Sequence, residues 1–245
     1  MDRRGALLGW EGVGRVDSRS GYCTGTLIAR NLVLTAAHCV FDDAGKLIPP
    51  ETMTFRAGYH RGQSIAQRRV VKHVVAEGYT DRGGSRISNQ SIAHDLALLK
   101  LDRDIVSAEA DPFKIHRTEL RDRRVSVVSY GKGRSEVLSR QGKCDYLKTY
   151  RHGLMTFDCD VTYGSSGAPI FARIDGRLRI FSVVSAMSTD PDRPKETIGM
   201  TLAHQVDDMK ARLRNDAALP KVSAGARRVQ IGQRSGSAKF VRPTN

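Results

Sequence analysis

Along most of this chain the apolar residues come in short runs, broken by Gly, Pro, Asn, Asp or Ser, which is the pattern of strands joined by turns rather than of helices. Three runs open it, at 14–16, 24–29 and 32–35, and Arg30-Asn31 is short enough to be a tight connection, so they read as a meander. Runs at 53–56, 69–76 and 96–101 extend the set, with polar, glycine-containing loops at 42–50 and 78–91. After a connection at 102–111 the pattern repeats at 125–130, 154–159, 169–174, 179–187 and 197–202. Over 203–213 the period changes: Val206, Met209 and Leu213 recur at three- and four-residue spacing among charged residues, as on an amphipathic helix. From about 216 onward no periodicity remains, and Ala, Gly, Ser, Pro and basic residues predict a flexible extension.

The expected organisation is therefore all-β. A first β unit covers 1–110, a second 111–202, a helix 203–215 and a basic tail 216–245. With 245 residues and 40% hydrophobic content the chain can bury one substantial core or two smaller ones. No run approaches the roughly 20 apolar residues that a membrane-crossing helix needs. The start, Met1-Asp2-Arg3-Arg4, has the charge of an export signal, but the apolar stretch at 5–10 is short and Glu11 ends it, so a complete signal peptide is not visible.

Charge and cysteines refine this picture. Of the net +14, the residues Lys221, Arg227, Arg228, Arg234, Lys239 and Arg242 supply six, leaving +8 for the rest. A basic surface with a loose tail accounts for that distribution, and such a tail would adhere weakly to anionic polymers. No zinc finger, basic helix or aromatic-rich RNA signature appears, so specific nucleic-acid binding is not expected. Cys23 and Cys39, then Cys144 and Cys159, form two sequence-local pairs, as two independent disulfides in an oxidising compartment would; four buried thiols are the other reading. A metal site is not expected, because no C-x-x-C occurs and His38 beside Cys39 is poor geometry for joint ligation.

Three segments carry candidate chemistry. Leu34-Thr35-Ala36-Ala37-His38-Cys39 sets a histidine after an apolar strand among small residues, and its ordinary pKa near 6.5 suits proton exchange near neutrality. Ala93-His94-Asp95-Leu96-Ala97-Leu98-Leu99 sets a carboxylate at the mouth of an apolar strand, where it is costly unless paired. His94 reads as structural. Gly164-Ser165-Ser166-Gly167-Ala168-Pro169 offers a serine in a tight turn, with the N–H groups of Gly164 and Ser166 able to converge on an oxyanion. Each alone also has a structural reading: a half-buried histidine, a turn-capping aspartate, a glycine-rich turn.

Together, in the order His, Asp, Ser, these segments and Cys-Thr-Gly-Thr-Leu-Ile at 23–28 resemble the chymotrypsin-like (trypsin-like) serine peptidases, over roughly residues 12–213. The resemblance implies two six-stranded antiparallel β-barrels with a C-terminal helix, and a triad of His38, Asp95 and Ser166 in the crevice between them. It further implies hydrolysis of polypeptides through an acyl-enzyme, an oxyanion hole at Gly164 and Ser166, and no cofactor. It pairs Cys23 with Cys39 and leaves Cys144 with Cys159. A secreted or periplasmic monomer is expected. The rival reading is a dormant relative that keeps the fold as a binding or adhesion module.

Departures from the vertebrate digestive pattern sharpen the likeness. Where those enzymes carry an aspartate that pairs with a new N-terminus, this chain has Ser165, so activity independent of that ion pair is expected. The stretch 158–166 is similar to bacterial branches, including the glutamyl endopeptidase-like group. By that likeness the specificity pocket involves Asp160, Val161, Tyr163, Ser185, Ala186, Met187 and Gly199. Asp160, six residues before Ser166, either projects into the pocket and selects Arg or Lys at P1, or joins a structural hydrogen-bond network. Glutamate-cleaving members place a histidine where this chain has none between Phe181 and Ser188. Ser185 is expected to hydrogen-bond Asp95, the backbone of 185–187 to pair with substrate, and Met187, often glycine, to narrow the pocket mouth.

Overall fold

The computed structural model describes residues 1, 4–80, 88–188 and 195–218. The chain divides into a compact unit, Met1–Lys210, and a second, Ala211–Asn245, of which residues 211–218 are described and are helical. Residues 216–218, expected to open the extension, instead continue the helix, and the rest of the expected extension, with its six basic residues, lies outside the described residues.

Strands β1 (Val13–Ser18), β2 (Gly21–Ala29), β3 (Leu32–Thr35), β4 (Thr54–Ala57), β5 (Ala66–Val75) and β6 (Ala97–Leu101) close into a barrel in the order β1-β2-β3-β6-β5-β4. Closure leaves no strand edge open, and the apolar faces turn inward on Leu27, Val33, Phe55, Val70 and Leu99, all fully buried. Alternation along β5 is plain, since its buried Ala66, Arg68 and Val70 are separated by exposed residues. β3 is buried at every position, which is why it reads as a continuous apolar run.

β7 (Arg124–Ser129), β8 (Ser139–Thr149), β9 (Leu154–Phe157), β10 (Pro169–Ile174), β11 (Arg177–Val183), β12 (Ala186–Met187) and β13 (Thr197–Met200) form a seven-stranded sheet in the order β11-β10-β7-β8-β9-β13-β12. That is one strand more than the six expected. Its core gathers Val125, Val127, Phe157, Ile170 and Val184. A five-residue helix, α1 (Asn89–Ala93), lies in the region read as loop, and Ser88 caps it by accepting a hydrogen bond from the Ser91 N–H. Helix α2 runs Ala203–Ala218, with Val206 and Met209 fully buried as the spacing predicts.

Both disulfides form, Cys23–Cys39 and Cys144–Cys159, closing sequence separations of 16 and 15 residues. Loops of that length contribute about 3 kcal/mol each by restricting the unfolded chain. Among the described residues no helix is long and apolar enough to cross a membrane.

Candidate active site

The register of the first barrel brings two of the candidate residues together. β3 and β6 pair with Thr35 opposite Ala97, so the chain leaving β3 and the chain entering β6 emerge side by side. The first continues into a single helical turn, Ala37–Val40, that carries His38; the second arrives through Asp95. There the buried Asp95 carboxylate accepts three hydrogen bonds. Its Oδ1 takes the His38 backbone N–H at 2.9 Å, and Oδ2 takes His38 Nδ1 at 2.7 Å and the Ser185 hydroxyl at 2.5 Å. The Asp95 side chain is 1% exposed and that of His38 25%. A charge so buried is tolerable only with such pairing. With Nδ1 donating to Asp95, Nε2 is the nitrogen that accepts a proton when the ring is neutral.

Ser166 arrives from the other half of the chain, in the turn before β10. Gly164 and Gly167 have φ of +85° and +77°, which L side chains rarely adopt. A Cβ at Gly167 would collide with Thr35 Oγ1 and the Thr24 carbonyl, so the turn packs hard against the first barrel at this point. The N–H groups of Ser165, Gly167 and Ala168 are committed to the carbonyls of Thr162, Val184 and Ser165. Those of Gly164 and Ser166 take no backbone partner among the described residues, as an oxyanion hole requires.

A cavity of about 770 Å³ joins these parts. His38, Gly164 and Ser166 line it together with Val161, Thr162, Tyr163, Val184, Ser185, Ala186 and Met187 from the second half of the chain, and Tyr22, Phe41 and the Cys23–Cys39 disulfide from the first. Its remaining charged lining residues are Asp43 and Lys132. Cys23, His38 and Cys39 lie close enough to suggest metal ligation, but the disulfide leaves neither sulfur as a thiolate donor.

The sequence-based candidates divide cleanly. Val161, Tyr163, Ser185, Ala186 and Met187 line the cavity; Asp160 and Gly199 do not. Asp160 is exposed and outside the cavity lining, and its amide N–H donates to Gln141 Oε1 at 2.7 Å. The carboxylate that does make a structural bond is that of Asp158, which accepts the Asp145 N–H. Gly199 packs against β11, where a Cβ would meet Ser182 Oγ and the Val183 carbonyl. Ser165 is 1% exposed and its hydroxyl pairs with Ser129 Oγ at 2.9 Å, so this position buries a neutral group that needs no counter-charge.

Aromatic groups that the sequence did not flag back the turn. Tyr22 and the Tyr130 carbonyl fill the space where Gly164 would carry a Cβ. Arg15 lies 5.3 Å from the Tyr22 ring centroid and 4.1 Å from that of Tyr59. Glu136 accepts the Tyr59 hydroxyl at 2.6 Å and an Arg15 N–H at 2.9 Å. The Tyr59 hydrogen bond, helped by Arg15 and opposed by burial, holds the Glu136 carboxyl below its usual pKa. What it contributes to stability is therefore present above its unfolded pKa and is lost as pH falls through the lower folded value. Tyr130 donates its hydroxyl to the Tyr59 carbonyl at 2.8 Å, and burial pushes that phenol's pKa well up.

The fold has counterparts among known proteins. The serine protease AL20, a thermostable enzyme from an extremophilic microorganism, superposes with a TM-score of 0.63 at 20% identity, covering 81% of this chain and 94% of that one. A Glu endopeptidase gives 0.66 at 18% identity over 83% and 90%. The protease Anisep from Arthrobacter nicotinovorans gives 0.64 at 16% over 81% and 93%. The similarity to these three is one of fold. In sequence, the chain is 33% identical over 129 residues to a modular serine protease of Drosophila melanogaster, an alignment covering 49% of this chain and 18% of that protein. The chain thus spans under a fifth of that relative's length. The family model for the trypsin-like peptidase domain matches residues 23–179, from the first cysteine to the second strand of the β10–β11 hairpin, and the chain belongs to that family.

Proposed function

We propose that this protein is a serine endopeptidase in which Ser166 is the nucleophile, His38 the general base and acid, and Asp95 the group that orients and charge-stabilises His38. The observation that carries this reading is the buried Asp95 carboxylate bonded to both the backbone N–H and Nδ1 of His38, with His38 and Ser166 facing one cavity. In the reaction the Ser166 oxygen bonds to the scissile carbonyl carbon as its proton passes to His38 Nε2. The carbonyl electrons move onto oxygen, which the N–H groups of Gly164 and Ser166 stabilise. Collapse expels the amine, which takes the proton from His38, and leaves an acyl group on Ser166. Water then repeats the sequence and frees the acid. No metal or organic group is needed by these steps.

β12 ends the order of the second sheet, and Ala186 and Met187 both line the cavity, so a substrate can add as a strand along this edge. Polypeptides are then the substrate class. Around Ser166 the lining residues Val161, Val184, Ala186 and Met187 are apolar, Thr162, Tyr163 and Ser185 add only neutral polar groups, and Asp160 stands outside the lining. Burying an unpaired Arg or Lys there is costly, so the preferred P1 residue is a medium-sized apolar one rather than a basic one. Cleavage of a mixed peptide library, mapped by mass spectrometry, should show apolar P1 residues cut about a hundredfold faster than Arg or Lys, and only by protein with Ser166 intact. Predominant cleavage after Arg or Lys overturns the apolar assignment and returns Asp160 to the pocket. The two disulfides fit a secreted or periplasmic location.

A further inference from the structure

We infer that Thr24 is a positioning residue for the oxyanion hole, acting through its side-chain hydroxyl; the inference rests on the peptidase reading above. The direction in which the N–H of Gly164 or Ser166 points is fixed by the planes of successive peptide groups, and a plane is held when its carbonyl is held. Four consecutive carbonyls of this turn are bound. Tyr163 O accepts from the Lys132 N–H at 2.7 Å and Ser165 O from the Ala168 N–H at 2.9 Å. The other two belong to Thr24: its hydroxyl donates to Gly164 O at 2.8 Å and its N–H donates to Ser166 O at 2.8 Å. Three of these bonds are made by backbone N–H groups. The bond to Gly164 O is made by a side chain, and it holds the peptide lying between the two oxyanion donors.

Thr24 is suited to this. It is 0% exposed on β2, within the closed barrel, so its backbone is a rigid support. Its hydroxyl also accepts the Tyr130 N–H at 3.0 Å, and its carbonyl accepts Thr35 Oγ1 at 2.8 Å. With a donor and an acceptor both engaged, the hydroxyl has a fixed orientation, which an isolated serine or threonine rotor lacks. Gly164, at φ +85°, brings no side chain of its own to resist rotation of the flanking peptides. Removing the hydroxyl therefore frees the Gly164–Ser165 peptide while leaving the cavity walls, the His38–Asp95 pair and the substrate edge of β12 in place.

The test is Thr24→Val, nearly the same shape without the hydroxyl, beside Thr24→Ser, which restores the donor. Rates are expressed per active site titrated with an irreversible serine-directed phosphonate, so loss of folded protein does not count as loss of rate. Loss of one direct oxyanion donor costs about 10²–10³ in kcat. For a residue acting one step behind, Thr24→Val should lower kcat about 10- to 100-fold with KM changed less than about threefold. A peptidyl boronate, which mimics the tetrahedral state, should lose affinity by the same factor, and Thr24→Ser should stay within about threefold of wild type. Thr197→Val, which removes an equally buried hydroxyl bonded to the Cys159 carbonyl, should cost stability without this kcat-specific loss. If Thr24→Val does not fold, Thr24→Ala gives the same comparison without the γ-methyl groups. Unchanged kcat per titrated site, a loss confined to KM, or an equal loss in Thr24→Ser overturns the inference. A wild-type protein without hydrolytic activity sinks the peptidase reading instead, so the two failures are distinguishable.

Discussion

Ser166→Ala should fold normally and lose about a million-fold in kcat, the scale seen when the nucleophile of such a triad is deleted. The size of the effect follows from what is removed. In the proposed mechanism Ser166 supplies the atom that bonds to the substrate, and its neighbour Ser165 cannot take its place, because the Ser165 hydroxyl is buried against Ser129. What the fold needs from this position is its backbone, whose carbonyl accepts the Thr24 N–H, and alanine keeps that. Thermal melting of the variant should match the wild type while steady-state turnover of the best library peptide falls to the detection limit. A variant keeping more than about one per cent of wild-type turnover removes Ser166 from the role assigned to it.

Asp95→Asn should cost about 10⁴ in kcat with the cavity intact, a loss expected when a triad aspartate becomes an amide. Asparagine has the shape of aspartate, but one of its two polar ends is a donor. With two His38 donors and the Ser185 hydroxyl converging on this side chain, the NH₂ group is forced against one of them. Turned toward Nδ1, it makes that nitrogen an acceptor and moves the ring proton to Nε2, the site that must receive the proton of Ser166. Turned toward the His38 N–H, it sets two donors face to face in a buried site, and the helical turn carrying His38 shifts. Measured kcat within tenfold of wild type, with unchanged melting, contradicts the part given to Asp95.

How far the sequence carried this account depended on whether a feature was local. His38, Asp95 and Ser166 each sit in a segment whose own chemistry is unusual, a histidine among small residues, a charge at an apolar strand mouth, a serine between glycines, so they were readable before any packing was known. β3 and β10 were readable because they are buried along most of their length. β8 was not: over Ser139–Thr149 only Cys144 is fully buried, so the strand reads as polar surface. The run at 179–187 looked like one strand and is two, because the backbone changes partner within it. Val184 N–H still bonds to Ala168 O on the β10 side, while Ser185 N–H bonds to Ile198 O of β13. That switch carries Ser185 to Asp95, and no periodicity records it.

Asp160 is a related case: its place in the chain suited a pocket carboxylate, but the residue is exposed and outside the cavity lining, and its backbone N–H is bonded to Gln141 on β8, the strand the pattern missed. Thr24 was passed over because residues 24–27 are buried on both faces of β2, where a threonine carries no mark that separates a clamp from core filling. Its role exists only in the contact between the two halves of the fold.

In the proposed mechanism the Ser166 side-chain oxygen, activated by His38, is the atom that attacks. Labelling the wild-type protein with a fluorophosphonate tests it most directly, since the reaction forms a phosphorus–oxygen bond to an activated serine and expels fluoride. Mass mapping should place a single adduct on Ser166, and His38→Ala should react more slowly by orders of magnitude. No adduct on correctly disulfide-bonded protein, or an adduct on another residue while Ser166 stays unmodified, contradicts the account.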